Sequence, residues 1–453
     1  MDDDIDGYMI DKAKKLLEKF PADYADIRIV RGPFTSISLK DGKIENVVST
    51  SNFGTGIRVL SSGSFGFAST NKENELEDVM KKALKLARTT RGKITLSSEK
   101  THADKVETKV KESPGGIGIE DKTEKLFSAE KEAKIDYIRN VSISYTDACT
   151  EKIFLNSSGS EIIQKETLTY MGIVAVAAKD GVMQEGYEVL GARGGMEGLN
   201  DAEIKAKTAA ERAVKLLNAK TPKGGNFCCV IDGKLAGVLA HEAVGHACEA
   251  DLVLSNDSVL SSKTGEKIGS GLVNIVDDAT INGFGSFTYD DEGVPGQKKY
   301  LTKAGVLESF LHSRDTASEF NLNSTGNMRA SSYSDFPVVR MSNTFFEKGE
   351  QNHDELFDIK NGIYAKGMKG GQVNPKTGNF VFVAEEGFLI KNGELTERLR
   401  DITLNGDILT TLKEIDAVGS DFIMGPGFCG KRGQVIRVSD GGPHLRIRSV
   451  AVG

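Results

Sequence analysis

The segment His241-Glu242-Ala243-Val244-Gly245-His246 puts two imidazoles and a carboxylate within six residues. Imidazoles bind zinc, and a glutamate beside them can take a proton from a metal-activated water. The common zinc-peptidase helix spaces its histidines four apart, so that both rings share one face. Here the spacing is five. On a regular α-helix five residues advance about 500°, which leaves the two side chains about 140° apart. The spacing therefore demands a widened i→i+5 turn, or a helix that ends at the motif, and such π-turns recur at functional sites. Gly245, just before the second ring, eases a local distortion. The ordinary alternative is a pair of packed, structural histidines. Against it stands their concentration, since the chain has six histidines and two of them fall here beside a glutamate.

A catalytic zinc site needs a third protein ligand and an open position. Cys248 and Glu249 follow the motif directly, and Cys429 lies far away between glycines in GFCGKRGQ (427–434). Each thiol has the alternative reading of a buried, inert cysteine. Three consecutive acids, Asp290, Asp291 and Glu292, read as a solvated turn before Gly293 or as a second cation site. Arg329 and Arg340 suit a substrate carboxylate or an oxyanion, and equally a structural ion pair. His444 is a candidate neighbour of the metal or a packed residue. The stretch Lys369-Gly370-Gly371-Gln372-Val373 lacks the Gly-Lys-Ser/Thr ending of a phosphate loop.

The elements around these residues read as α+β, with helices on antiparallel sheet first and a β-rich part after. Residues 8–20 place Ile10, Ala13, Leu16, Leu17 and Phe20 on one helical face. Strand-like runs follow from Ala25 to Thr70 with turns at Asp41-Gly42 and Ser62-Gly63, then a helix through Leu76, Val79, Met80, Ala83, Leu84 and Ala87. The order recurs: a helix over 121–134, strands from Ile135 to about Leu190, and a helix from about Asp201 to Leu217. Gly56-Ile57-Arg58-Val59 echoes Gly172-Ile173-Val174-Ala175, so an internal duplication is expected. Residues 99–118 read as a charged and glycine-rich surface connection. The expected division is 1–222, in sub-units of about 1–98 and 119–222, followed by a metal-binding domain over 223–453. That second part opens on the apolar strand Phe227–Ile231, and Asp232 is the expected N-cap of the helix that leads into His241.

Composition narrows the class. Of 453 residues, 39% are hydrophobic and 27% charged, as in soluble globular chains. The net charge is −7 and no basic stripe is visible, which argues against direct nucleic-acid contact. Five cysteines, an odd number in a large chain, fit a reducing compartment better than a disulfide framework. The acidic start MDDDIDGYMI is unlike a signal peptide, and no long apolar run suggests a membrane span. A cytoplasmic location is expected.

Six segments in order resemble the TldD/PmbA family: HEAVGHACEAD (241–251), YDDEGVPGQ (289–297), STGNMRA (324–330), PVVRMSNTFFEKG (337–349), GIYAKGMKGGQVNPKTGNFVFVAEEGFLIKNGEL (362–395) and GFCGKRGQ (427–434). GKIENVVSTSNFGTGIRVL (42–60) agrees more loosely. The resemblance implies a zinc metallopeptidase with one ion per chain held by His241, His246 and Cys429, and Glu242 as general base. It implies a catalytic rather than a metal-free chain, because all four residue types are present. It also implies that Asp291, Glu292 and Arg329 line the cleft, and that unfolded peptides are the substrates. The implied assembly is a dimer, with itself or with a metal-free paralogue of the PmbA or TldE type. Two rival readings are a non-catalytic peptide-binding, chaperone-like subunit and a modulator of DNA topology, since the family has carried a gyrase-modulator label.

Overall fold

The computed structural model of the chain describes residues 2–453. Its first half repeats one unit. Helix α1 (Asp2–Lys19) is followed by the meander β1 (Tyr24–Lys40), β2 (Lys43–Ser61) and β3 (Ser64–Thr70), and then by α2 (Leu76–Ala87). After the short strand β4 (Ala103–Glu107), the order returns as α3 (Ile119–Ala133), then β5 (Ile138–Asn156), β6 (Glu161–Lys179) and β7 (Val182–Ala192), then α4 (Ala202–Leu216). The two meanders join edge to edge through antiparallel pairing of β1 with β5, so that among the described residues they form one seven-stranded sheet. Gly56–Val59 lies on β2 and Gly172–Ala175 on β6, the second strand of each meander.

Packing repeats with the topology. The buried face of α2 is Leu76, Val79, Met80, Ala83, Leu84 and Ala87, and that of α4 is mostly alanine. Each helix lies against a glycine in the third strand of its meander. A Cβ on Gly66 would meet the Ala83 carbonyl oxygen at 2.0 Å, and one on Gly186 would meet the Ala209 carbonyl oxygen at 1.9 Å. Small residues on both sides let helix and sheet backbones approach.

Tight turns fall at the two expected dipeptides, Asp41-Gly42 and Ser62-Gly63, and at a third of the same kind, Asp180-Gly181. Asp41 and Gly42, Ser62 and Gly63, and Asp180 and Gly181 all have positive φ, as a two-residue hairpin turn of the favoured hand requires. One segment differs from its expectation. Residues 99–118 are not only a connection, because β4 pairs in parallel with β6 and extends the sheet. Its residues Ala103–Glu107 alternate weakly and carry three charges, so nothing in their pattern marks a strand.

The second half is β-rich. Strand β8 (Gly225–Ile231) lies inside a nine-stranded sheet, parallel to Asn361–Lys366 and antiparallel to Leu445–Val452. A six-stranded sheet ends in the C-terminal hairpin Ile423–Lys431 and Gln434–Gly442, with Ile423–Lys431 at its edge. Helix α5 (Gly233–Val238) runs from β8 into the space between these sheets and carries the chemistry-bearing segment into the largest apolar cluster of the chain.

Candidate metal centre

Asp232 caps α5 by accepting from the Leu235 amide at 3.0 Å, and its carboxylate also accepts from the Gly367 amide at 3.1 Å. The helix then widens. Residues Leu239–Gly245 form a π-helical turn, followed by a tight turn over His246–Cys248. This is the i→i+5 geometry the five-residue spacing demands, and it brings the rings of His241 and His246 to 5.1 Å between centroids, nearly perpendicular. Gly245 faces Met341, whose sulfur lies 2.0 Å from where a Cβ would stand. Within Leu239–Gly245 every residue except Glu242 is buried, and the Glu242 side chain is 30% exposed.

Cys429 arrives from the edge strand of the C-terminal hairpin. Its sulfur lies 3.3 Å from His246 Nε2, and one ligand atom each from His241, His246 and Cys429 fall within 4.8 Å of one another. Burial opposes ionisation of this thiol, but the imidazoles of His241 and His246 outweigh it and hold Cys429 down at about 4. Burial also opposes protonation of His246, yet Glu249 and the Cys429 thiolate raise it well above the usual imidazole range.

The other two local candidates have different surroundings. The Glu249 carboxylate sits 3.1 Å from His246 Nδ1 and 3.1 Å from Lys431 Nζ. Lys431 also reaches Asp251 at 2.7 Å and the Val339 carbonyl at 3.0 Å. A carboxylate behind a ligating histidine fixes the ring and its tautomer. Cys248 is fully buried, and burial pushes its thiol above the range in which it would ionise. Asp440, which the sequence did not single out, lies near Glu242. Desolvation, with Glu242 and Cys429 nearby, pushes it up to about 6 against the pull of His241. Only a serine-aspartate-glycine turn pattern surrounds Asp440 in the sequence, and that carries no signal.

The residues present fit a zinc ion. Two imidazoles and a thiolate are a borderline-soft donor set suited to it, and three protein ligands leave a position for water or substrate. His241 Nδ1 is buried without a hydrogen-bond partner, as expected of a site that a bound group completes.

The acidic loop is not a solvated turn. Asp290, Asp291 and Glu292 are 2%, 5% and 2% exposed. Asp290 accepts from the amides of Glu292, Val294 and Met328. Asp291 pairs with Lys152 at 2.8 Å, and despite burial Lys152 and Arg28 bring it down to about 2. Glu292 lies 3.0 Å from Arg58 and accepts from the Arg314 amide at 2.7 Å. Asp290, Asp291 and Arg329 line a cavity between the two halves, and Glu292 instead joins them beneath it. Arg329 donates to the carbonyls of Met341 and Arg437 at 2.7 and 2.9 Å. Arg340 is fully buried and donates to the carbonyl of Cys429 itself. His444 lies between Asp421, at 2.7 Å, and the Tyr364 hydroxyl, at 2.9 Å, and is not among the clustered donors.

Comparison with known proteins agrees with this architecture. Residues 224–453 match the PmbA/TldA metallopeptidase C-terminal domain, 112–217 the central domain and 25–87 domain 1. A metalloprotease of Methanothermobacter thermautotrophicus is 44% identical over 434 residues, covering 95% of each chain. The chain belongs to the TldD/PmbA metallopeptidase family. Among its relatives in that family is a zinc metalloprotease TldD homolog of Saccharolobus solfataricus, 30% identical over 447 residues and covering 97% of this chain and 98% of that one. Solved structures share the fold. TldE from Thermococcus kodakarensis superposes with a TM-score of 0.80 at 21% identity, covering 98% of this chain and 100% of that one. A candidate DNA-gyrase modulator from Thermotoga maritima gives 0.82 at 24% identity, covering 99% and 100%. No helix among the described residues is long and apolar enough to cross a membrane.

Proposed function

We propose that this chain is the catalytic member of its family, a zinc-dependent peptidase that hydrolyses peptide bonds of unfolded chains. The observation that carries the reading is the π-turn that gathers two imidazoles and a distant thiolate while leaving Glu242 half-exposed beside them. His241, His246 and Cys429 would hold the zinc ion, which would supply Lewis acidity and a water whose pKa is lowered toward about 7. Glu242 stands 4.0 Å from His246 Nε2, close enough to take a proton from a water there and return it to the leaving amine nitrogen. Glu249 accepts from His246 Nδ1, which fixes the ring with Nε2 facing the Cys429 sulfur, the position from which a bound zinc would take its lone pair.

The edge strand that carries Cys429 offers unpaired backbone beside the centre. An extended peptide can add to such an edge through main-chain hydrogen bonds, which read little sequence. That favours unfolded substrates and broad specificity. The cytoplasm is the compartment that suits a reduced Cys429. A dimer with itself or with a metal-free paralogue is the proposed assembly, and the likeness in fold to a TldE supports it.

The test is metal content and cleavage of an unfolded peptide by wild-type and Glu242→Ala protein. Equal zinc in both, with hydrolysis falling at least about 100-fold in the variant, is expected for a lost general base. An active Glu242→Ala protein refutes the role. A zinc-loaded wild-type chain that binds peptide without cutting it makes this a peptide-binding subunit instead.

A further inference from the structure

Between the N-terminal sheet and the C-terminal hairpin lies a cavity of about 380 Å³. Strands β1, β5 and β6 supply one wall, and the hairpin supplies the other through Phe428, Val435 and Arg437. Phe428 directly precedes Cys429, and alternation along the strand turns it to this side while Cys429 turns to the imidazoles. The cavity and the metal centre therefore share one strand.

Two features of the lining stand out. The first is an apolar corner. Phe428 packs edge-on against Tyr170 at 4.9 Å and Phe284 at 5.5 Å, yet remains 52% exposed. The second is an imbalance of charge. Five cationic side chains face the space: Arg28, Lys152, Arg193, Arg329 and Arg437. Three carboxylates oppose them: Glu166, Asp290 and Asp291. Even with all three ionised the cations are in excess. Burial and the neighbouring Glu292 also hold Asp290 up at about 8, which widens the excess near neutral pH.

Within this group the other cations have partners. Arg193 and Arg437 share Glu166, while Lys152 and Arg28 share Asp291. Arg329 is the exception. It is 7% exposed, it donates to two backbone carbonyls and lies over the Phe287 ring, and it has no ion pair with a carboxylate among the described residues. Burial, with Arg437 and Arg340 nearby, pulls it down to about 9. Asp291 and Glu166 act on it only at a distance; a buried guanidinium with no carboxylate in contact is costly, and a planar carboxylate is the group its fork fits best.

The geometry points to this cavity as a subsite for a carboxylate of the peptide, held between Arg329 and Arg193 with an apolar neighbour against Phe428. The nature of the ligand rests on the peptidase reading above. An acidic side chain and the terminal carboxylate of the chain present the same chemistry, and only the ligand's construction separates them.

The test uses the full-length, zinc-loaded chain carrying Glu242→Gln, so that binding is read without turnover. An unfolded peptide with phenylalanine beside a glutamate is titrated calorimetrically, together with its glutamine counterpart, each with a free and an amidated C-terminus. At least one acid should bind about tenfold tighter than its neutral twin, the scale of one charged hydrogen bond. The twin that differs names the source. Adding Arg193→Gln should bring that ratio toward one while the melting temperature confirms folding. Equal affinity for all four peptides, or a ratio unchanged by Arg193→Gln, overturns the subsite. Absence of hydrolysis in the wild-type chain would count against the peptidase reading and leave these ratios intact.

Discussion

At Cys429 two effects oppose each other. Burial favours the neutral thiol, the neighbouring imidazoles favour the thiolate, and the imidazoles prevail, leaving the group near 4. An anionic sulfur is therefore ready at neutral pH, while the proton that metal binding displaces sits on the imidazoles, His246 above all. Cys429→Ser removes that readiness, because a hydroxyl does not ionise in this range and oxygen is a poorer match than sulfur for zinc. The variant should lose most of its zinc on dialysis, measured by elemental analysis, and remain folded by circular dichroism. Full zinc occupancy in the variant would mean the third donor is elsewhere. Sequence spacing exposed the two histidines and the need for a third donor. It left Cys248, Glu249 and Cys429 equivalent, because nothing local tells which of them the fold brings to the rings. Lys431 behind Glu249, and Asp440 beside Glu242, were illegible for the same reason: their partners lie far away in the chain.

Helix α5 must hold its π-turn against the hairpin that delivers Cys429, and it does so through glycine. A Cβ on Gly237 would stand 2.2 Å from the Gly441 amide nitrogen and 2.7 Å from the Asp440 carbonyl carbon. Both are backbone atoms and cannot swing aside. Gly237→Ala should therefore force the helix off the hairpin, at a cost of about 1–3 kcal/mol by the usual scale of overpacking. The expected readouts are a lower melting temperature and weaker zinc binding together, since the same movement separates His241 and His246 from Cys429. A variant that melts early yet keeps wild-type zinc affinity would show that the two are uncoupled. At this scale much was legible. Helical periodicity located α2 and α4, dipeptide turns located the hairpins, and the five-residue histidine spacing demanded the widened turn. What periodicity does not carry is close approach. Gly66 under Ala83, Gly186 under Ala209 and Gly237 under Gly441 read in sequence only as scattered glycines. Strand β4 was hidden by its charges.

The two halves are joined through charges withdrawn from water. Arg58, on β2 and 1% exposed, reaches Asp26 on β1 at 2.7 Å and Glu292 of the acidic loop at 3.0 Å. Its guanidinium lies over Phe65 from the first half and Phe336 from the second. Nearby, Gly54 and Gly56 let Tyr333 cross β2, where a Cβ on Gly56 would meet the Tyr333 carbonyl oxygen at 2.2 Å. The segment GTGIR thus marks a docking surface, which explains why so distinct a run occurs in a half that carries none of the proposed metal donors. A buried ion pair is a weak source of net stability when intact, because desolvation offsets attraction, but removing one partner leaves the others uncompensated. Arg58→Met keeps most of the apolar stem and strands two buried carboxylates. It should lower the unfolding free energy by about 3–5 kcal/mol in urea titrations. Adding Glu292→Gln should recover part of that loss, since one stranded charge is then gone; the two changes should be non-additive, as expected for residues in contact. Because Glu292 neighbours the acids that line the cavity, the single variant should also weaken peptide binding while leaving zinc content at His241, His246 and Cys429 unchanged. Strictly additive effects of the two substitutions on stability would mean that Arg58 and Glu292 do not act as a pair, and that the halves are held by the other ion pairs between them, such as Lys152 with Asp291, and by the packing at Tyr333.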